Sequence, residues 1–244
     1  MRFHLAVAAL AALLAGCAAP VPELHDVDAL LIGEQHDAPS HAGQHERWVA
    51  TLARRGTLAA VALEMAERGT TTLALSADAS ETQVQEALRW DADGWPWPRY
   101  RPAVMAAVRA GVPVLGANLP RDQQRQAMQD ATLDQLLPGP ALKAQQQAVR
   151  LGHCEMLPET QITPMTRVQI ARDRAMARTI VAAVTPGKTV ILLAGAGHVE
   201  PDVGVPRYLP PWVTVRALPL PGEDTGKDYC AELRKQMQGS RAPG

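Results

Sequence analysis

Ala29-Leu30-Leu31-Ile32-Gly33-Glu34-Gln35-His36 is an apolar run that ends in Gly-x-x-His. Val190-Ile191-Leu192-Leu193-Ala194-Gly195-Ala196-Gly197-His198 repeats the pattern far downstream. A short apolar run closed by glycine and followed by polar residues reads as a strand buried on both faces. In an open α/β sheet, the side chains just past the carboxyl ends of such strands face the crevice in which ligands bind. The two runs therefore predict that His36 and His198 meet at one sheet edge, with Glu34 beside them. The glycines are expected to let the chain turn sharply as it leaves the sheet. One Gly-x-x-His is common by chance; two, each closing a β-like run, mark a candidate site.

Outward from the first run, Asp37 or Ser40 can cap a helix that reaches about Arg55 and buries Trp48, Val49 and Leu52. His41 and His45 share a face of it, a spacing that suits a metal or simply a polar surface; no Glu follows His41 as in a zincin helix. A second strand over residues 59–63 ends in Glu64, either a site acid at the edge that carries His36 or a cap or salt-bridge acid. Helices are expected at 71–76 and 80–90, the latter opened by a capping box from Ser80 to Gln83. Trp95-Pro96-Trp97-Pro98 and Tyr100 gather aromatic rings, as a packed loop or as a wall for a flat ligand. A helix over 102–110 and a strand over 112–116 follow, with Asn118 and Arg121 beyond. This order of strands and helices predicts parallel pairing through right-handed crossovers.

Residues 122–160 are Gln-rich and helical, broken at Pro138-Gly139-Pro140, and read as a small helical insertion. A long amphipathic helix over 164–184 places Val168, Ala171, Ala175 and Met176 near a 3.6-residue period and contains Asp173, a buried or a solvated acid. A fourth strand over 189–194, a turn leading to Tyr208 and a last strand over 213–218 complete the pattern. The fold expected is α/β: a mostly parallel central sheet flanked by helices over residues 29–220, followed by a tail from 221 to 244.

Arg2, the apolar stretch from Leu5 to Leu14, and Leu14-Ala15-Gly16-Cys17 read as a lipoprotein signal peptide over 1–16. The stretch is too short for a membrane span, which needs ~20 apolar residues. Lipidation of Cys17 would anchor the chain through a linker over 17–28, facing the periplasm from a cell-envelope membrane. Ala18 in place of aspartate favours the outer membrane. The alternative is a plain signal peptide with an incidental cysteine. Cys154 and Cys230 are then expected to form a disulfide; two free thiols or thiolate ligation of a metal are the alternatives, and no Cys-x-x-Cys supports the last. A formal net charge of −1 gives no electrostatic case for nucleic acid.

Read in order, Gly33-Glu34-Gln35-His36, Leu63-Glu64-Met65, the W-P-W-P-x-Y-x-P seam, Ala117-Asn118-Leu119-Pro120-Arg121, His153-Cys154, the Q-x-x-R-D-x-x-M-A pattern from Gln169 to Ala177, and Gly195-Ala196-Gly197-His198-Val199 with Gly204-Val205-Pro206 resemble one family. The chain is similar to the ChaN-type haem-binding lipoproteins, the bacterial branch of the haem-binding-uptake and Tiki superfamily, from Leu30 to about Leu218. The resemblance implies a protein that holds haem for iron uptake. It also implies a homodimer that stacks two haems between its subunits, a tyrosine on the iron and an outer-membrane haem transporter as partner. The Tiki branch implies instead a metal-dependent protease, and erythromycin esterase-like enzymes share the scaffold. The motif match carries Glu34, His36, Glu64 and His198 onto the polar site of the family.

Each reading makes its own chemical demands. For haem, the candidate iron ligands are Tyr100, Tyr208 and His41, with Asn118 and Arg121 nearby; Arg99, Arg101 and Arg207 join Arg121 as partners for propionates. For a hydrolase, His36, Glu64 and His198 would hold a divalent metal (Mn, Zn or Co), with Glu34 or Glu64 as general base. A vestigial pocket in a structural lipoprotein is the third reading, and it would leave four polar residues buried without purpose.

Overall fold

Five strands form one sheet in the order β3-β2-β4-β1-β5, and every neighbouring pair is parallel. They are β1 (Ala29–Glu34), β2 (Leu58–Glu67), β3 (Val114–Asn118), β4 (Thr189–Gly195) and β5 (Val215–Pro219). The computed structural model describes residues 21–239, so the expected leader and Cys17 lie outside the described residues. No helix among the described residues is long and apolar enough to cross a membrane.

The apolar runs are buried on both sides because successive side chains alternate between faces. Leu30, Ile32, Val61, Leu63, Ile191 and Leu193 point to one face. There they meet α1 (His41–Arg54), α2 (Glu81–Leu88) and α3 (Trp97–Arg109). Ala29, Leu31, Ala60, Ala62, Val190 and Leu192 point to the other. Burying each large aliphatic side chain contributes about 1.5–3 kcal/mol, which makes the centre of the sheet the main source of stability.

The expected insertion is present as α4 (Arg121–Gln129) and α5 (Gly139–Gly152), joined by a 3-10 turn over Ala131–Gln135. These pack on α6 (Glu159–Ala183) through Leu133, Leu137, Val168 and Ile170. Further along, α6 covers the second face of the sheet with Met176, Ala177 and Ile180. After β5 the chain continues to α7 (Tyr229–Gly239).

Three elements differ from the sequence reading. No helix forms at 71–76: Thr71 bridges Leu115, and the Val114 amide donates to Thr72 Oγ1 at 2.9 Å, so this segment hugs the edge of β3. Helix α3 starts at Trp97 rather than Pro102, because Pro98 falls in the first turn, where a missing N–H costs nothing. Helix α6 starts before Pro164 and carries it inside its first turns.

Candidate functional site

β4 lies between β1 and β2, and Glu34 pairs in register with Gly195. The carboxyl ends of the three strands therefore deliver Glu34, Glu64 and the 3-10 turn Ala196–Val199 side by side. Their glycines have a reason other than turning. Neither Gly33 nor Gly195 has a positive φ. A Cβ on Gly33 would sit 2.4 Å from Val199 Cγ2, and one on Gly195 would sit 3.0 Å from His36 Nε2. Close approach, not backbone freedom, favours glycine at both places.

Glu34 is buried, and its carboxylate is shared by three groups. Oε1 accepts from Tyr100 Oη and lies against His36 Nδ1, both at 2.7 Å. Oε2 is 3.4 Å from Nε2 of His45, a fully buried imidazole. With Nδ1 tied to Glu34, His36 keeps Nε2 available, and its side chain is 41% exposed. The edge of its ring meets Trp95 at a centroid distance of 4.8 Å. Burial alone would lower the His36 pKa, but the hydrogen bond to Glu34 and the charge of Glu64 raise it above the ordinary value. His45 goes the other way: burial lowers it to about 4 despite Glu34, so it is a neutral ring in the core.

Glu64 forms the second cluster. It accepts from the Gly195 amide at 2.6 Å and from the Arg172 guanidinium of α6, and His198 Nε2 is 3.4 Å away. His198 Nδ1 lies 2.6 Å from Asp173 Oδ1, also on α6. Burial works against charge on both partners. The charges of Glu64 and Asp173 nevertheless lift His198 to about 9, and His198 and Arg172 hold Glu64 well below the usual carboxylate range. Burial dominates at Asp173 and raises its pKa. His198 is therefore an imidazolium at neutral pH, fixed between two acids.

Over these groups opens a cleft of about 630 Å³. His36, Glu64, Arg172 and His198 line its floor, Val149 of α5 and His153 just after it line one side, and Tyr229 of α7 also faces it. A second cavity of about 420 Å³ shares Glu64, Gln169 and Arg172 with the first and contains Trp95, Asn118 and Arg121.

Four of the expected site residues thus come together: Glu34, His36, Glu64 and His198. The expected iron ligands do not reach the cleft. Tyr100 is 1% exposed, with its hydroxyl spent on Glu34. The Tyr208 hydroxyl is buried and has no partner, and burial raises its pKa. His41 is buried; its Nδ1 accepts from the Gln35 amide at 3.1 Å and its Nε2 lies 3.0 Å from the Pro221 carbonyl. Asn118 holds Arg172 Nε at 3.0 Å, and Arg121 pairs with Asp91.

The divalent metal expected on His36, Glu64 and His198 gains no support. Among the described residues, no group of three or more His, Cys, Asp or Glu side chains is arranged to hold one. Glu64 Oε1 is already paired with Arg172 and Oε2 accepts from the Gly195 amide, so a metal would compete with that guanidinium for the carboxylate. Cys154 and Cys230 are joined by a disulfide with a Cα–Cα distance of 5.6 Å.

Sequence reasoning gave no role to Gln169 or Arg172 and left Asp173 undecided. Their signal was spacing: positions i, i+3 and i+4 share one face of a helix, so three polar groups on α6 are aimed together at the strand ends. Nothing in the sequence marked Tyr229.

The fold and floor define an α/β protein with a carboxylate–histidine site where β4 inserts between β1 and β2. The chain belongs to the family described as haem-binding uptake, Tiki superfamily, ChaN, which matches residues 21–209. Among solved structures it is similar to one titled "Cofacial heme binding to ChaN of Campylobacter jejuni", at 22% identity, over 84% of this chain and 85% of that one, with a TM-score of 0.67. The type III effector HopBA1 is a distant likeness: 18% identity over 82% and 79% of the two chains, with a TM-score of 0.41. No curated protein matches the chain.

Proposed function

We propose that the cleft binds haem, and that the protein is an envelope lipoprotein, anchored through Cys17, that holds haem-iron for uptake. The observation that carries the reading is the coincidence of family membership with a cleft of about 630 Å³ whose floor presents the imidazole of His36, 41% exposed and oriented by Glu34. That volume lies within the range of cofactor pockets. The donor chemistry fits. A histidine whose Nδ1 faces a carboxylate is oriented, and made a better donor, for an iron at Nε2. His36 therefore replaces Tyr100, Tyr208 and His41 as the ligand candidate. Haem would supply the redox-active iron, and the protein supplies orientation and enclosure. Arg172, paired with Glu64, is the guanidinium that lines the cleft, while Arg99 donates to the His36 carbonyl at 2.6 Å from the neighbouring smaller pocket. A homodimer on haem binding and an outer-membrane transporter belong to the same proposal and derive from the family resemblance.

Titration of the purified protein with ferric haem should give a Soret shift at a defined stoichiometry, and His36→Ala should abolish or reshape it. An unchanged spectrum in His36→Ala would remove that residue from the role; no shift in the parent protein would remove haem. Metabolic labelling with palmitate should mark the protein, and Cys17→Ala should abolish the label.

A hydrolase is the second reading, favoured by one observation: His36 with its Nδ1 on Glu34 is arranged as a general base whose Nε2 faces the cleft. Turnover of an ester or peptide that is lost in both Glu34→Gln and His36→Ala, in a protein without a Soret response, would select it.

A further inference from the structure

The segment from Pro221 onward lies beyond the residues matched by the family, yet it reaches the cleft through Tyr229. It is pinned first to the loop between β1 and α1. The Gln35 side chain and the Glu223 backbone exchange two hydrogen bonds, at 2.9 and 3.1 Å. Ser40 Oγ donates to the Glu223 carboxylate, and Lys227 Nζ lies 3.0 Å from Asp37. The Tyr229 hydroxyl reaches both oxygens of Asp37, at 3.0 and 3.1 Å. The next residue, Cys230, is bonded to Cys154, which follows His153 at the end of α5. Asp37, His153 and Tyr229 all line the cleft, so the segment bridges it from the β1 side to the α5 side.

The two attachments differ in kind. Beyond Pro221, whose carbonyl lies 3.0 Å from the buried His41 Nε2, the polar one consists of exposed or half-exposed pairs, each worth little in water. Apolar packing adds little, since Tyr229 is 48% exposed. The covalent one therefore fixes the far end. It is mounted on a strained backbone: Cys154 and Glu155 adopt φ of 54° and 57°, a left-handed conformation uncommon for residues that carry a Cβ. Strain of this sort persists only where the surroundings enforce it, and it gathers at ligand clamps and switches.

We propose that residues 221–230 form a clasp over the cleft, and that reduction of the Cys154–Cys230 bond opens it to let a flat ligand pass. The proposal takes its ligand, but not its mechanics, from the haem reading. The reductant is a protein dithiol. Its thiolate attacks one sulfur of the bond, forming a mixed disulfide and releasing the other cysteine as a thiol. Its second thiol then resolves the mixed disulfide. Cys154 and Cys230 end as two thiols and the donor as a disulfide, with two electrons and two protons transferred.

The test compares the full-length protein in detergent, oxidised and after treatment with a phosphine reductant. Hydrogen exchange should rise at least ten-fold at the amides of Glu223 and Glu232 while those of β1 and β4 are unchanged. Transfer of bound haem to apomyoglobin should accelerate at least ten-fold. Unchanged exchange at Glu223 and Glu232, with both thiols shown to be free, would overturn the clasp. A Cys154→Ser, Cys230→Ser variant should reproduce the reduced state. Should that variant misfold, Ser40→Ala with Lys227→Ala loosens only the polar end and is expected to speed transfer less than two-fold. An acceleration equal to that of reduction would show that the bond is not the clasp. If ferric haem gives no Soret change in either state, the haem reading fails, while the exchange rates still decide the clasp.

Discussion

His198 is charged because two acids hold it, and that makes stability depend on pH in a direction that can be worked out. Its pKa in the folded protein, about 9, lies above the ordinary 6.5. The stability it lends is therefore whole below pH 6.5 and fades as pH climbs through about 9. The shift corresponds to on the order of 3 kcal/mol at most. Urea unfolding across that window should show the loss in the parent protein and little slope in His198→Gln; a flat parent profile would contradict the assignment. The glycines make two further predictions. In Gly195→Ala the new methyl would lie 3.0 Å from His36 Nε2, so the ring must move; haem affinity in a Soret titration should fall about ten-fold, with the fold retained. In Gly116→Ala the methyl would meet the Glu67 carbonyl oxygen at 2.0 Å, and backbone cannot yield there as a side chain can. Thermal unfolding should then show a loss of about 2–3 kcal/mol. The Gly-x-x-His signal was legible in the sequence, but its reason was not. A turn is a local property, whereas the crowding of Gly195 by His36 depends on a residue that is distant in the chain.

Among the elements, those encoded by their own residues were the readable ones. The box at Ser80 is formed in both directions, with Gln83 N donating to Ser80 Oγ at 3.3 Å and Ser80 N donating to Gln83 Oε1 at 2.8 Å. Ser80→Ala should destabilise the protein by about 1 kcal/mol in a urea titration. The strands were readable because apolar runs between glycines have few other uses. The segment at 71–76 was misread as helix because its partner, Leu115 on β3, decides its conformation from outside. Tyr100 was misread for a similar reason. Its position beside prolines and tryptophans suggested a packed loop or a wall for a flat ligand, but α3 begins early enough to turn the ring inward onto Glu34. Propensity gives way wherever tertiary contacts settle the conformation.

At the scale of the whole molecule, the family match ends at residue 209, but the sheet does not. β5 pairs with β1 from Ala29↔Val215 to Gly33↔Pro219, and Leu220 is buried against the core. A chain ending at Tyr208 should therefore fail to give a cooperative melt by circular dichroism. One ending at Pro221 should keep the melt and lose only the clasp. The strand order has a further consequence, concerning time rather than space. β1 is the first element among the described residues, yet both of its hydrogen-bonded neighbours, β4 and β5, come from beyond residue 188. Contacts so far apart in sequence are slow to form. As the chain emerges from the ribosome, β1 and the acid it carries stay unhoused until Gly195, the end of β4, has been made. Until then this strand has no sheet to join, so assembly of the site waits on the later half of the described residues.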